Sequence, residues 1–121
     1  MELQTVTGDF SICKIARIEQ ADFSQELLFV AKTPDEISLV CLSAHVPLGA
    51  IAVEDGWRAI RISGVLDFGL LGVVAKISGI LADARISIFV VSTYNTDYIL
   101  LKGESLAPGL KALKNNGYTI R

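Results

Sequence analysis

Apolar and polar positions alternate with the period of a strand along most of this chain, and in one stretch they switch to the period of a helix. Residues 3–15 alternate in the β manner, with Thr7, Gly8 and Asp9 reading as a turn between two short strands. Residues 16–26 are polar and predict a loop or a single helical turn, and residues 27–32 predict a strand. At Thr33-Pro34-Asp35-Glu36 two signals conflict. Threonine three residues ahead of glutamate, with proline at the first helical position, marks a helix start. The run 37–42 that follows is short, apolar and partly β-branched, as a strand would be. The strand is preferred, because residues 37–42 repeat the clearer strand 97–102. A short connection broken by Pro47 follows, then a turn at Glu54-Asp55-Gly56 and a strand at 57–64.

The helical stretch lies between residues 70 and 84. Leu70, Val73, Val74, Ile77, Ile80, Leu81 and Ala84 recur at three- and four-residue spacing, opposite Lys76, Gly79 and Asp83. This predicts an amphipathic helix that covers a sheet. Residues 86–93 and 97–102 then form a hairpin turned by Tyr94-Asn95-Thr96. Ser105 reads as the N-cap of a second helix with a Leu106, Leu110 and Leu113 stripe. Lys111 and Lys114 complement its end, and Asn115-Asn116-Gly117 stops it. Residues 118–120 close the order as a strand.

These elements occur twice. Phe89, Val90 and Thr93 repeat Phe29, Val30 and Thr33 at an offset of 60, and Ile99-Leu100-Leu101 repeats Leu39-Val40-Cys41. Upstream, the segment 57–62 answers 10–15 at an offset of 47. The difference between the offsets is about one helix length. The chain is thus expected to hold two copies of one small unit. Residues 1–56 form a degenerate module without its first helix, and residues 57–121 form a complete β-α-β-β-α-β module. The fold class is α+β and ferredoxin-like, with antiparallel sheets and helices on one face.

Composition removes several function classes. Apolar residues make up 51% and charged residues 20%, and the formal charge is −2, so nucleic acid is not an expected partner. Apolar runs such as 68–75 fall far short of the ~20 residues a membrane span needs. The opening residues lack a basic segment followed by an apolar one, so no signal peptide is expected and a cytoplasmic location follows. Cys13 and Cys41 sit in apolar runs without Cys-x-x-Cys spacing, which favours buried free thiols over a disulfide or metal site.

Catalytic chemistry has little to stand on. His45 is the only histidine, no metal-ligand spacing surrounds it, and neither a nucleophile elbow nor a phosphate-binding glycine motif is present. Two segments remain. The junction Gly64-Val65-Leu66-Asp67-Phe68-Gly69-Leu70-Leu71-Gly72-Val73 sets glycines at a helix start, where free amides can hold a carboxylate. The same glycines would equally serve a tight turn and close helix-to-sheet contact. The segment Ser92-Thr93-Tyr94-Asn95-Thr96-Asp97 offers hydroxyls, an amide and a carboxylate that could pair a cation. It also fits ordinary turn chemistry.

At these residues the sequence resembles the ACT-domain superfamily, and within it small tandem-ACT amino-acid sensors and the allosteric domains of aspartate kinase. The resemblance rests on Gly72-Val73-Val74-Ala75-Lys76-Ile77 with Ile80-Leu81-Ala82, on Ala84-Arg85-Ile86-Ser87-Ile88, and most specifically on the run 92–100 with its Ser-Thr-Tyr-x-x-Asp core. It implies a non-catalytic regulatory module, without cofactor or metal, that binds a small effector, commonly an amino acid, and pairs as a homodimer. Asp67, Phe68, Gly69, Leu70, Leu71, Gly72 and Val73 would hold the ligand's carboxylate or amine. Ser92, Thr93, Tyr94, Asn95, Thr96 and Asp97 would line the rest, with Asp97 pairing a positive group. Gly69 and Leu71 stand where many ACT loops carry aspartate and proline. The first copy has Glu36 and Ile37 in place of Thr96 and Asp97, so it is expected to serve mainly as a wall. Two other classes remain open: a ligand-free assembly domain, and a small enzyme using Asp97 with His45.

Overall fold

The computed structural model describes residues 1–67 and 69–121. Seven strands and two helices follow in the order β1 (Glu2–Ile15), β2 (Leu28–Lys32), β3 (Ile37–Leu42), β4 (Ala52–Ile62), α1 (Val73–Asp83), β5 (Phe89–Ser92), β6 (Asp97–Lys102), α2 (Gly103–Asn115) and β7 (Thr119–Ile120). Short 3-10 turns occupy Ile18–Gln20 and Ser43–His45. The chain divides into two compact units, one formed by residues 1–7 with 58–121 and the other by residues 8–57. Below they are the helical unit and the hairpin unit.

The helical unit orders its strands β7-β1-β4-β6-β5. Glu2 and Leu3 of β1 run parallel to Thr119 and Ile120 of β7, while β5 and β6 form an antiparallel hairpin from Phe89↔Leu100 to Ser92↔Asp97. Ile60 and Ile62 of β4 and Ile99 and Leu101 of β6 alternate toward Ile77 and Leu81 of α1 and Leu113 of α2. All seven are at most 1% exposed, so the middle of the predicted helix stripe does cover a sheet, whereas Leu70, 50% exposed, lies ahead of α1 and Ala84 beyond its end. Helix α2 lies close on β6: a Cβ at Gly109 would stand 3.0 Å from Leu101 Cδ1. At the end of α1, Arg85 takes a positive φ of 64° and the Ile86 amide donates back to the Leu81 carbonyl at 2.9 Å. This left-handed stop turns the chain toward β5.

The hairpin unit orders its strands β2-β3-β1-β4. Its β1 and β3 pair antiparallel from Phe10↔Leu42 to Ile15↔Ile37, and β2 and β3 from Leu28↔Cys41 to Lys32↔Ile37. Residues 37–42 are therefore a strand, and the helix-start signal at Thr33 serves a turn instead. The core of this unit is small: Cys13, Ile15, Ala21, Leu39 and Cys41. Both cysteines are buried free thiols, and burial pushes the Cys41 thiol up to about 11.

Three expectations about element ends are corrected. Residues 7–9 do not separate two strands, and 54–56 is not a turn; β1 and β4 run through both places. Gly8 (φ +114°) and Gly56 (φ +85°) take backbone angles that in other residues would signal a turn, yet strand structure continues on either side. At Gly8 a Cβ would also fall 2.5 Å from Leu42 Cδ2, so the end of that leucine side chain would have to shift. Ser105 is not an N-cap. Helix α2 starts directly from β6 at Gly103, with Lys102 at the cap position and no side-chain cap bond, leaving Ser105 inside the first turn.

Candidate functional site

The strand-to-helix junction and the β5–β6 turn meet in the helical unit around a cleft of about 390 Å³. Gly72 is the N-cap of α1 and adopts the left-handed conformation (φ 72°, ψ 12°), with no side-chain cap. Its carbonyl accepts the Lys76 amide at 2.9 Å, which fixes the first turn. Helix geometry leaves the first-turn amides without intrahelical acceptors. Gly72, Val73, Val74 and Ala75 all line the cleft, so this positive end of the helix borders it. No acidic residue in the first turn of α1 offsets it.

The opposite wall is a threonine-organised turn. The Thr93 amide donates to the Thr96 carbonyl at 2.8 Å, the Thr93 hydroxyl donates to the same oxygen at 2.9 Å, and the Thr96 amide returns to Thr93 Oγ1 at 3.3 Å. Thr96 is 4% exposed and its hydroxyl donates to the Ile62 carbonyl at 2.9 Å, anchoring the turn on β4. The Asn95 carbonyl accepts the Leu66 amide at 2.7 Å, which ties the junction to the turn. The turn is thereby fixed on two sides, and Asp97, partly buried at the start of β6, reaches the cleft from a rigid base.

Of the residues expected at a site, Asp67, Leu70, Gly72, Val73 and all six from Ser92 to Asp97 line this one cleft. Gly69 does not; its amide donates to Asp67 Oδ1 at 2.7 Å in a turn that occupies part of that carboxylate. Leu71 borders a neighbouring cavity of about 200 Å³ with Lys76 and Tyr118. Phe68 lies outside the described residues. Leu66, from the junction singled out in the sequence, also lines the cleft, as do Val74 and Ala75, which were not among the expected site residues. Val74 reads as a core position of the helix stripe, and Ala75 carries no polar side chain that would mark it.

The cleft has a simple charge inventory. Among its lining residues are two carboxylates, Asp67 and Asp97, and no lysine, arginine or histidine. It thus opposes a helix N-terminus to fixed negative charge, an arrangement that fits a zwitterion. His45 belongs to the other unit, and the helical unit holds Asp97. Among the described residues there is no group of three or more His, Cys, Asp or Glu side chains able to hold a metal, and no helix is long and apolar enough to cross a membrane.

An antiparallel hairpin, two helices over the sheet and a cleft at the first helix start define a small ferredoxin-like α+β domain. The ACT domain matches residues 52–115, and the chain belongs to the ACT domain family. The Homo sapiens and Bos taurus proteins called cytosolic arginine sensor for mTORC1 subunit 1 are each 39% identical to it over 59 residues, or 48% of this chain. That match spans only 18% of those relatives' length. Among solved structures, a protein of Agobacterium tumefaciens superimposes with a TM-score of 0.87 at 28% identity, covering 99% of this chain and 91% of its own. The regulatory subunit of Thermus thermophilus aspartate kinase shares the fold at 12% identity, with a TM-score of 0.60 and coverage of 89% and 92%.

Proposed function

We propose that the chain is a non-catalytic regulatory module that binds an amino acid in the cleft of the helical unit. The observation that carries this reading is the meeting of an uncapped helix start with Asp97 around one cleft that has no basic side chain. The ligand's α-carboxylate is received by the first-turn amides of α1, a contact worth about 0.3–1 kcal/mol at exposed helix ends and up to ~2 when partly buried. A positive group, the α-ammonium or a cationic side chain, pairs with Asp97. The names of the arginine sensor and of the aspartate kinase regulatory subunit support a regulatory role of this kind. Residues 1–56 are read as a degenerate ACT-like module and residues 57–121 as the complete one. The 3-10 turn Ser43–His45 stands where the second helix of the repeat would begin. The working form is a cytoplasmic homodimer without cofactor, in which the ligand favours one arrangement by contacting the two states differently.

A thermal-shift screen with the twenty amino acids tests the proposal, since a ligand at 100 times its Kd adds about 2.7 kcal/mol to native stability. The Asp97→Ala variant should keep its circular dichroism spectrum and lose the shift. Unchanged affinity in that variant removes Asp97 from the site. The exposed apolar residues Val65 (72%), Leu71 (92%) and Tyr94 (80%) favour a second reading, a ligand-free assembly domain. Concentration-dependent association in light scattering, together with no shift from any amino acid, would establish that alternative.

A further inference from the structure

The start of α1 borders two cavities of opposite charge. Gly72 and Val73 line both the first cleft, where the amino-acid site is proposed, and the neighbouring cavity of about 200 Å³, whose other wall is the passage from α2 to β7. The first cleft has two carboxylates and no basic side chain, whereas Lys76 is the one charged side chain lining the neighbour. Lys76 is exposed and has no ion-pair partner among the described residues. The nearby end of α2 does not neutralise it, because the last carbonyls are already occupied. Leu113 accepts the amides of Asn116 and Tyr118 at 3.0 and 3.1 Å, and Lys114 accepts that of Gly117 at 3.1 Å.

A buried phenol is the second observation. Tyr118 is 8% exposed, lines the cavity, and holds its ring 5.7 Å from Lys76 Nζ. Its hydroxyl has no hydrogen-bond partner among the described residues, although a buried tyrosine ordinarily finds one. The oxygen is not among the side-chain atoms sealed away without a partner, so it can reach a molecule in the cavity. Burial pushes the phenol's pKa up, which keeps the group protonated and able to donate. Leu71 and Val73 add apolar surface. We infer that this cavity is an anion site, separate from the first cleft, and that it takes a short-chain monocarboxylate. One carboxylate oxygen meets the Lys76 ammonium, the other accepts a hydrogen bond from the Tyr118 hydroxyl, and the alkyl end lies against Leu71 and Val73. One ammonium matches one carboxylate charge, and the positive end of α1 adds to the attraction. Inorganic phosphate would bring further charge and no apolar part, for which the cavity has no counterpart. The inference does not rest on the amino-acid reading of the first cleft.

The test is a nuclear magnetic resonance titration of the full chain with sodium butyrate, ionic strength being held constant with sodium chloride, and a parallel titration with inorganic phosphate. Expected is saturable movement of the amides of residues 116–118 together with those of 71–76. Lys76→Gln, an exposed change, should weaken the response by about tenfold, and Tyr118→Phe, which keeps the buried ring and removes only the hydroxyl, by about fivefold. No saturable movement at 116–118 with butyrate overturns the inference, and so does movement that both variants retain in full. A tighter response to phosphate than to butyrate rejects the monocarboxylate. Movement at 92–97 with an amino acid, and none at 116–118 with butyrate, keeps the first cleft and rejects this site. The reverse pattern keeps this site and rejects the first cleft.

Discussion

The turns at Thr33 and Thr93 have the same backbone and different surroundings, and the contrast separates what a fold supplies from what a site requires. In both, a threonine hydroxyl joins the two ends of a hairpin turn. In the helical unit the next step is inward: Thr96 is buried and bound to the Ile62 carbonyl, and the start of α1 lies across a cleft from it. In the hairpin unit the equivalent Glu36 is exposed and bound to Ser38, and no helix start lies across from it. One supersecondary turn thus occurs in two settings, with a helix start across its cleft in one unit and without a helix after the first strand in the other.

The largest expected effect lies in the helix that makes the difference. Leu81, 0% exposed in the core of the helical unit, should cost about 2–5 kcal/mol when changed to alanine, read from the midpoint of urea unfolding. Leu39→Ala, the matched deletion in the hairpin unit, should fall in the same range yet leave ligand affinity at the first cleft within about twofold. Equal loss of affinity in both variants would mean that the units are not separable. Next in size is the anchor of the turn. Thr96→Val leaves the buried Ile62 carbonyl without its donor and should cost about 1–3 kcal/mol. Glu36→Gln, at the equivalent exposed position, should stay within about 0.5 kcal/mol. A near-neutral Thr96→Val would erase the distinction between an inward and an outward turn.

Most of this contrast is legible in the residues, and what is not has a physical reason. Strand β6 and the stripe of α1 from Val73 to Leu81 stand where their patterns place them, because alternation and three-to-four spacing report burial on one face directly. The strand at 37–42 overrides a capping-box signal because Thr33 can bind backbone amides in a hairpin turn as readily as at a helix start. The glycines at 8 and 56 mislead for the opposite reason: their positive φ is real, but strand structure continues around it. Ser105 is passed over because β6 runs into α2 without a linker. In the cleft, side-chain contributors such as Asp97 can be anticipated. Leu66, joined through its amide to Asn95, belongs to the junction singled out in the sequence, whereas Ala75 in the first turn of α1 carries no polar side chain that would mark it.

A smaller effect is expected at the helix start itself. A Cβ at Gly72 would meet nothing within 4 Å, so Gly72→Ala isolates the cost of the left-handed backbone, about 1–2 kcal/mol. The same change tests whether the cleft depends on that cap. If Gly72→Ala shifts the thermal midpoint but leaves amino-acid binding intact, the first-turn amides hold their places without glycine, and the first cleft is more robust than its uncapped helix suggests.

The smallest effects are electrostatic and belong to the hairpin unit. The Cys41 thiol is raised by burial from 9.0 to about 11, with the neighbouring Cys13 adding to the shift, so the folded state favours its neutral form. A folded-state value above the unfolded one gives a contribution that is whole below pH 9 and is lost as pH rises toward 11. Asp22 has the reverse sign. The Ser24 hydroxyl, then Gln25 and the Ser24 amide, hold its carboxyl at about 2 instead of 3.8. Its contribution is therefore present above pH 3.8 and fades as pH falls toward 2. Urea midpoints measured across both windows should fall at each end, with Cys41→Ala flattening the alkaline limb and Asp22→Asn the acid one. Limbs unchanged by these substitutions would place the responsible groups elsewhere and remove the thiol pair and the Asp22 turn from the features that set the hairpin unit apart.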